Sequence, residues 1–371
     1  MAEDISVLIA RNKPLRRNSL KMNEMRRDYL LDRWVVIATE RKKRPTDFAK
    51  PREPAKTGTC PFEPGNEDKT PAAQLVYLRS PKGEIQKVSD KDDFRHKNWL
   101  IRCFPNLFPA FMAPIEGVEK DKKKDNPFLL DAAGAHEVIV ESPNHNEHPG
   151  VARLDQLTLV VDACLDRLRA LSALPYVRYV SIFRNHGIEA GASLSHAHSQ
   201  IIATPFVPQT LREELKASNK FWKDNHECAF CNIMKKEKNG PRFIWQNDSF
   251  FVFAPWASVN PLEFWVLPRK HQASPLEMKL EQKQDLAKTL RVCLGALKSL
   301  VNDPPYNYGF HIAPSAEANE YYHWHIEVYP TLAIWAGFEK STGMYINTVP
   351  PEDAAASLKE AAGKEEKAIQ L

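Results

Sequence analysis

Apolar residues recur at helical spacing in two long segments of the chain, residues 154–174 and 278–301. The first apolar face is formed by Leu157, Val160, Val161, Cys164, Leu165 and Leu168. The second is formed by Leu286, Leu290, Leu294 and Leu297. Because residues at this spacing lie on one side of a helix, the pattern predicts two amphipathic helices, each with one buried face.

Each predicted helix is preceded by a similar segment. Residues 137–145, EVIVESPNH, and residues 263–271, EFWVLPRKH, both begin with Glu, continue through apolar residues typical of a strand, and end with His. Another predicted strand follows each helix, at residues 176–184 and 306–311. The chain therefore contains the same order of strand, helix and strand twice.

A His-x-His pair completes each copy, beginning at His196 in the first and at His323 in the second. Counted from the strand-end histidines, His145 and His271, the pairs begin 51 and 52 residues later. Agreement in order, type and spacing indicates that one unit has been duplicated.

The duplication predicts an α+β fold of two tandem domains, each an antiparallel sheet packed with helices. We place the first, catalytic domain at residues 28–205 and the second at residues 206–371, with residues 206–225 as the link between them. Residues 1–27 are rich in Lys and Arg and are predicted to form a basic, solvated extension.

Composition narrows the class of protein. The 371 residues are 43% hydrophobic and 26% charged, as in folded globular proteins. No segment has the ~18 consecutive apolar residues that cross a membrane, and the N-terminus lacks the apolar core of a signal peptide. We therefore expect a cytoplasmic enzyme with no membrane partner. The net charge of +4 and the lack of alternating basic and aromatic residues also argue against a nucleic-acid partner.

The first His-x-His pair extends to His-x-His-x-Gln. In a strand, His196, His198 and Gln200 would project from the same face. The preceding residues, 187–193, are rich in Gly, Ala and Ser, including Ser193, which lets backbone and hydroxyl groups approach a phosphate. This arrangement predicts a polar site on a rigid element.

A neutral imidazole is a good nucleophile near neutral pH, and its attack on a phosphate divides one transfer into two steps. Gln200 can bond a phosphoryl oxygen but cannot activate water, so it favours transfer over hydrolysis. Arg41 and Arg44, beyond a predicted strand at residues 33–39, are candidates to neutralise a diphosphate. A nucleotide-binding sensor without turnover is the alternative, but a sensor needs no nucleophile.

These residues resemble the galactose-1-phosphate uridylyltransferase branch of the histidine-triad superfamily, over roughly residues 28–355. The resemblance rests on GIEAGASLSHAHSQ at 187–200, KRP at 43–45, PNLFP at 105–109, ESPNH at 141–145, DPPYN at 303–307, GFE at 337–339 and YIN at 345–347.

The resemblance implies a nucleotidyltransferase in which His198 becomes covalently nucleotidylated by a nucleotide sugar, and a sugar 1-phosphate or inorganic phosphate then accepts the nucleotide. The family's phosphate-binding residues match Asn185, Ser193 and Gln200. Its diphosphate-binding pair matches Arg41 and Arg44, its nucleoside contact matches Asn106, and its sugar-binding residues match Phe338 and Glu339. Members of the family are commonly homodimers.

The chain departs from many uridylyltransferases at one nucleoside-binding position. They have Asn-Asp where this chain has Asn106-Leu107. The main expectation is transfer from UDP-glucose to galactose 1-phosphate. The alternative is an ADP-glucose phosphorylase, whose branch the surrounding pattern resembles more closely.

Cysteine spacing suggests metal sites. Cys228 and Cys231 form a Cys-x-x-Cys pair, and we predict that they bind a structural zinc ion together with His271 and His311.

The resemblance implies two further sets. A competing site in the second copy would use Glu214, His311, His323 and His325 to bind iron or zinc. In the first copy, the family's zinc site matches Cys60, Glu63, His145 and His196.

Overall fold

The computed structural model describes residues 23–38, 44–48, 59–114, 129–314 and 318–370. The strands are β1 (Glu24–Arg27), β2 (Trp34–Ile37), β3 (Leu75–Arg79), β4 (Ile85–Val88), β5 (Trp99–Pro105), β6 (Ala135–Val140), β7 (Tyr179–His186), β8 (His198–Thr204), β9 (Phe243–Gln246), β10 (Phe250–Phe253), β11 (Phe264–Pro268), β12 (Tyr306–His311), β13 (His325–Pro330) and β14 (Tyr345–Asn347). The helices are α1 (Leu154–Ser172), α2 (Gln209–Asn225), α3 (Ala229–Glu237), α4 (Leu280–Val301), α5 (Gly337–Thr342) and α6 (Pro351–Gln370).

Each half contributes an antiparallel sheet, and the two sheets share an edge. Within the described residues, eleven strands form one sheet in the order β4-β3-β5-β6-β8-β7-β12-β13-β11-β10-β9. The halves join where β7 pairs with β12, with Asn185 opposite Asn307. The predicted α+β architecture of two similar antiparallel units is therefore confirmed, and the units form a continuous sheet.

The two long helices lie side by side on one face of this sheet. All of the apolar positions predicted to face the core on α1 and α4 are buried, and they share one core cluster. Helix α4 ends at Val301 because Asn302 adopts the left-handed conformation, with φ of 59°, that stops a helix. In the part of the chain that the structure describes, no helix is both long and apolar enough to cross a membrane.

The structure gives the conformation of the segments between and before the predicted domains. Most of residues 206–225, the predicted link, is helix α2. Residues 1–22 of the predicted basic extension lie outside the described residues, whereas residues 24–27 form β1 rather than a solvated arm: β1 pairs with β2, and β2 pairs in parallel with β14 from the far end of the chain. Arg26 is buried because it stacks on Trp256 and forms an ion pair with Glu352.

Gly134, just before β6, lies where a side chain does not fit. A Cβ atom there would lie 2.0 Å from the backbone oxygen of Ala203 on β8. We expect Gly134→Ala to destabilise the protein by about 1–3 kcal/mol, as overpacking does elsewhere, because two backbones would have to separate. Urea unfolding measures this change.

The matched control is Gly363→Ala in α6, where a Cβ meets nothing within 4 Å. This helical substitution should be neutral or stabilising. Equal midpoints for Gly134→Ala and the unmodified protein would contradict the expected clash.

Candidate active site and metal-ligand clusters

Strand β8 presents the first two candidate catalytic side chains. His198 begins the strand opposite Val140 of β6, and Gln200 follows opposite Val138. Both line the same cavity. His196 precedes the strand and turns its ring towards Cys60, so the prediction of one shared face holds for His198 and Gln200 but not for His196.

Hydrogen bonding defines the tautomer of His198. Its Nδ1 atom lies 2.7 Å from the backbone oxygen of His196, which only accepts, so Nδ1 carries the proton and Nε2 carries the free lone pair. Burial lowers the pKa of His198, which is 6% exposed, and so favours the neutral ring. A neutral ring with a fixed free nitrogen is the form that a nucleophile requires.

A buried ion pair supports the catalytic strand from behind. Arg184 of β7 pairs with Glu141 and also donates from Nη1 to the backbone oxygen of His198 at 3.0 Å. The Ser199 hydroxyl donates to Glu141 at 2.5 Å. This network is not predicted from the sequence, although alternation along β8 does place Ser199 on the opposite face from His198.

A cavity of about 220 Å³ lies in front of His198. It is lined by Pro61, Phe62, Lys69, Thr70, Pro71, Phe104, Asn106, Leu107, Phe108, Val138, Ser193, Leu194, His198 and Gln200. The structure thus brings Asn106, Ser193, His198 and Gln200 together, as predicted. Phe62 packs edge-on against His198, with ring centroids 5.5 Å apart.

Asn185 lies next to this group, on the same face of β7 as the paired Phe183 and Gln200. Its Oδ1 atom accepts from Asn307 Nδ2 at 2.8 Å, which leaves its own amide hydrogens for another partner. The loop after it turns through Gly187 and Gly191, which have φ values of 84° and 87°. Glycine tolerates this left-handed backbone.

The remaining predicted substrate-binding residues are Arg41, Arg44, Phe338 and Glu339. Arg41 lies outside the described residues. Arg44 is exposed, and its backbone N–H donates to Asp47. Phe338 and Glu339 lie on α5, where a Glu339 oxygen accepts from the backbone N–H of Ala336 at 2.9 Å. Arg44, Phe338 and Glu339 do not line the described cavity.

The second half contains a four-residue cluster of thiols and imidazoles. Cys228, Cys231, His271 and His323 have their potential ligand atoms within 4.8 Å of one another. The Nδ1 atoms of both histidines lie 3.5 Å from Cys231 Sγ. The hydrogen bond with the Cys228 side chain, together with those with the two imidazoles, lowers the pKa of Cys231.

The prediction of His311 as the fourth member of this cluster is wrong. Strand register pairs His311 with His325, whereas His323 precedes β13 and turns towards the thiols. The repeat itself contained the signal, because His323 occupies the position of His196 in the first copy.

His311 instead belongs to a separate buried cluster with Glu214, His325 and Glu327. The competing set is therefore also corrected, because Glu327 takes the place predicted for His323. Burial alone would lower the pKa of His311, but the charges of Glu214 and Glu327 raise it to about 9.

The first-half cluster has the predicted members, Cys60, Glu63, His145 and His196. Cys60 Sγ lies 3.7 Å from His196 Nδ1, and Glu63 lies 2.7 Å from His145 Nδ1. The remaining nitrogen of His196 is held by the backbone oxygen of Ser142 at 2.8 Å. These side chains offer a donor set that suits a metal ion.

Comparison with known families shows where the chain belongs. Residues 15–208 match the family described as "Galactose-1-phosphate uridyl transferase, N-terminal domain". The chain belongs to the galactose-1-phosphate uridyl transferase family. Residues 122–368 also match a domain of unknown function, DUF4921. The predictions of this family and of a nucleotidyltransferase enzyme are confirmed.

Two relatives of this chain have different names. An ADP-glucose phosphorylase of Arabidopsis thaliana is 32% identical over 91% of this chain and 92% of its own length. A galactose-1-phosphate uridylyltransferase of Thermotoga maritima is 30% identical over 91% of this chain and 98% of its own. The crystal structure of an Arabidopsis thaliana ADP-glucose phosphorylase with bound ADP-glucose is similar with a TM-score of 0.73, at 29% identity, and covers 91% of this chain and 99% of that one.

Proposed function

We propose that this enzyme transfers a nucleoside monophosphate from a nucleotide sugar to an acceptor through a covalent bond to His198. The proposal rests on the setting of His198. Its imidazole is buried, its Nδ1 proton is hydrogen-bonded, and it lines a cavity together with amide and hydroxyl groups. Family membership supports the same chemistry.

In the first step, the Nε2 lone pair of His198 attacks the α-phosphorus of the nucleotide sugar. A phosphorus–nitrogen bond forms, the bond to the bridging oxygen breaks, and sugar 1-phosphate leaves with those electrons. In the second step, an oxygen of a sugar 1-phosphate or of inorganic phosphate attacks the adduct and releases His198. The Nδ1 bond to the His196 carbonyl stabilises the positive charge that the ring acquires in between.

The neighbouring polar groups would bind the phosphates. Gln200, Ser193 and Asn185 offer neutral donors to the phosphoryl oxygens, and Asn106 borders the nucleoside. Arg41 and Arg44 remain candidates for the diphosphate, since cations stabilise the charge of the leaving group.

Two nucleotide donors fit the proposal. One is UDP-glucose, with galactose 1-phosphate as the acceptor, and the other is ADP-glucose, with inorganic phosphate as the acceptor. The cavity lining has aromatic and aliphatic residues but no carboxylate among the described residues. Leu107 stands at the rim, 64% exposed, where many uridylyltransferases have an acid. This lining supports the adenine nucleotide, while the family match and the Thermotoga maritima relative support the uridine nucleotide.

Intact-mass spectrometry after mixing the protein with UDP-glucose or ADP-glucose, without acceptor, tests both parts. We expect a stable uridylyl or adenylyl adduct on His198, and the nucleotide in the adduct identifies the donor.

His198→Ala should remove the adduct and lower turnover by at least about 10⁴-fold, because the nucleophile is lost. The control His226→Asn changes an exposed histidine in left-handed conformation, which Asn tolerates, and should keep the adduct. Turnover retained by His198→Ala would refute covalent catalysis there.

We also propose that Cys228, Cys231, His271 and His323 hold a structural zinc ion. Two thiols and two imidazoles are a preferred zinc set, and a backbone oxygen of Asn319 fixes the His271 ring from behind at 2.6 Å. The Cys60 cluster would hold a second zinc ion next to the catalytic strand, and the buried Glu214 cluster offers a site for iron or zinc. The zinc ions would hold strands in place and take no part in transfer.

Elemental analysis of the purified protein tests the zinc site. Cys231→Ser should remove about one equivalent of zinc and lower the melting temperature, because the metal ion would cross-link three segments of the chain. Cys293→Ala, at a buried helix position that belongs to none of the candidate metal-ligand clusters among the described residues, is the control and should keep the full metal content. Zinc content unchanged by Cys231→Ser would exclude the site.

A homodimer is the proposed assembly. Phe338 and Glu339 lie outside the cavity of their own chain, and the segment before them exposes Ile334 and Trp335, at 93% and 40%. Exposed apolar clusters of this kind mark protein contacts. A second copy would cover them and bring Phe338 and Glu339 to its partner's cavity.

Mixing two inactive variants tests shared sites. His198→Ala and the double variant Phe338→Ala with Glu339→Ala are each expected to be inactive. After unfolding and refolding together, they should recover about a quarter of the normal activity, since half of the dimers are mixed and each has one intact site. A mixture of dimers that stays inactive would mean that each chain builds its own sugar site.

A further inference from the structure

His136 lies beside the Gln200 side chain but belongs to a different strand. It is on β6, and its Nε2 atom lies 2.7 Å from Gln200 Oε1 on β8. Strand pairing places Val138 opposite Gln200. It places His136 opposite Ile202, the next residue of β8 on the same face as Gln200. The contact is therefore built into the sheet and does not depend on a flexible loop.

A backbone amide decides which nitrogen of His136 carries the proton. The N–H of Ala110 donates to His136 Nδ1 at 3.2 Å, and a backbone N–H can only donate. Nδ1 is therefore the unprotonated nitrogen of the neutral ring, and Nε2 carries the hydrogen. The short contact to Gln200 is then a hydrogen bond from Nε2–H to Oε1.

This bond determines how the Gln200 amide is oriented. The reverse orientation would place the Gln200 NH₂ group against Nε2–H, two donors face to face, which is unfavourable. With Oε1 held by His136, the NH₂ group is the part of Gln200 left for a ligand. Gln200 lines the cavity in front of His198, so its amide acts there as a donor.

The same reasoning applies to Asn106. Its Oδ1 atom accepts from the backbone N–H of Phe108 at 2.9 Å, which leaves Nδ2 facing His136 Nε2 at 3.2 Å. Both atoms are donors in this tautomer, so this contact is not a hydrogen bond; the bonds of His136 to Ala110 and Gln200 outweigh it, and Asn106 keeps its amide hydrogens for another acceptor. The cavity therefore receives two amide donors, which suit a ligand rich in hydrogen-bond acceptors, such as a nucleotide.

We propose that His136 is a positioning residue that, through its tautomer, holds Gln200 as a hydrogen-bond donor to the transferred phosphoryl group. The inference rests on the proposed covalent chemistry at His198. The N–H of Ala110 fixes the tautomer of His136, and this tautomer fixes the orientation of the Gln200 amide. The NH₂ group of Gln200 then stabilises the charge that develops on the phosphoryl oxygens.

Two substitutions separate the two bonds of His136. His136→Gln places an amide nitrogen near the former Nε2 position, so it can still donate to Gln200 but no longer accepts from Ala110. His136→Asn places an oxygen near the former Nδ1 position, so it keeps the Ala110 bond but does not reach Gln200. Melting temperatures of both variants establish that each is folded.

The measurement is the single-turnover release of glucose 1-phosphate, with whichever of UDP-glucose and ADP-glucose labels the unmodified protein. We expect His136→Asn to lower the maximal rate constant roughly 10- to 100-fold, as loss of an oriented transition-state donor does, with less than about a threefold change in half-saturation concentration. His136→Gln should stay within about threefold of the unmodified protein.

A third comparison tests whether His136 acts through Gln200. Adding His136→Asn to Gln200→Ala should change the rate by less than about twofold, since residues that act as one unit are not additive. The proposal is overturned if His136→Gln is the slower variant, if both variants match the unmodified protein, or if the losses in the double variant multiply. Absence of any adduct on the unmodified protein would instead refute the proposed function.

Discussion

The arrangement of the site depends on one buried ion pair, between Arg184 and Glu141. Both side chains are almost fully buried, at 2% and 1% exposure, and a buried charge is tolerated only when it is paired and hydrogen-bonded. The pair connects the end of β6 with β7, and Arg184 also holds the backbone of His198. Removing either partner from such a pair typically costs about 3–5 kcal/mol. The position of His198 is thus tied to the stability of the sheet.

The same network reaches across the junction between the two halves. Ser199 donates to Glu141 and lies 3.4 Å from the hydroxyl of Tyr308 on β12. Because β7 and β12 form the junction, the second half supports β8 through β7 and through this contact. The half without the His-x-His-x-Gln motif thus contributes to the position of His198.

The two copies share a backbone but differ in what surrounds the second histidine of the pair. In the second copy, His325 corresponds to His198, and it is fully buried against Phe230 and Trp265. Glu327, at the position of Gln200, lies 3.2 Å from His325. Aromatic rings therefore pack against His325, whereas His198 lines a cavity in the first copy. The second copy thus contributes buried clusters of potential metal ligands and structural support.

The sequence by itself determined the two long helices, the duplicated order of elements, the shared face of His198 and Gln200, and the family. The first three follow from local periodicity and from spacing along the chain, which the tertiary structure preserves, and the family follows from the resemblance of the motifs. Only the tertiary structure decided that His323 rather than His311 joins the thiols, that His136 orients Gln200, and that Arg184 pairs with Glu141. Each of these contacts depends on strand register and on the direction in which a side chain turns at a strand end. One residue of shift reverses the face of every side chain in a strand, so periodicity along the sequence cannot establish such contacts.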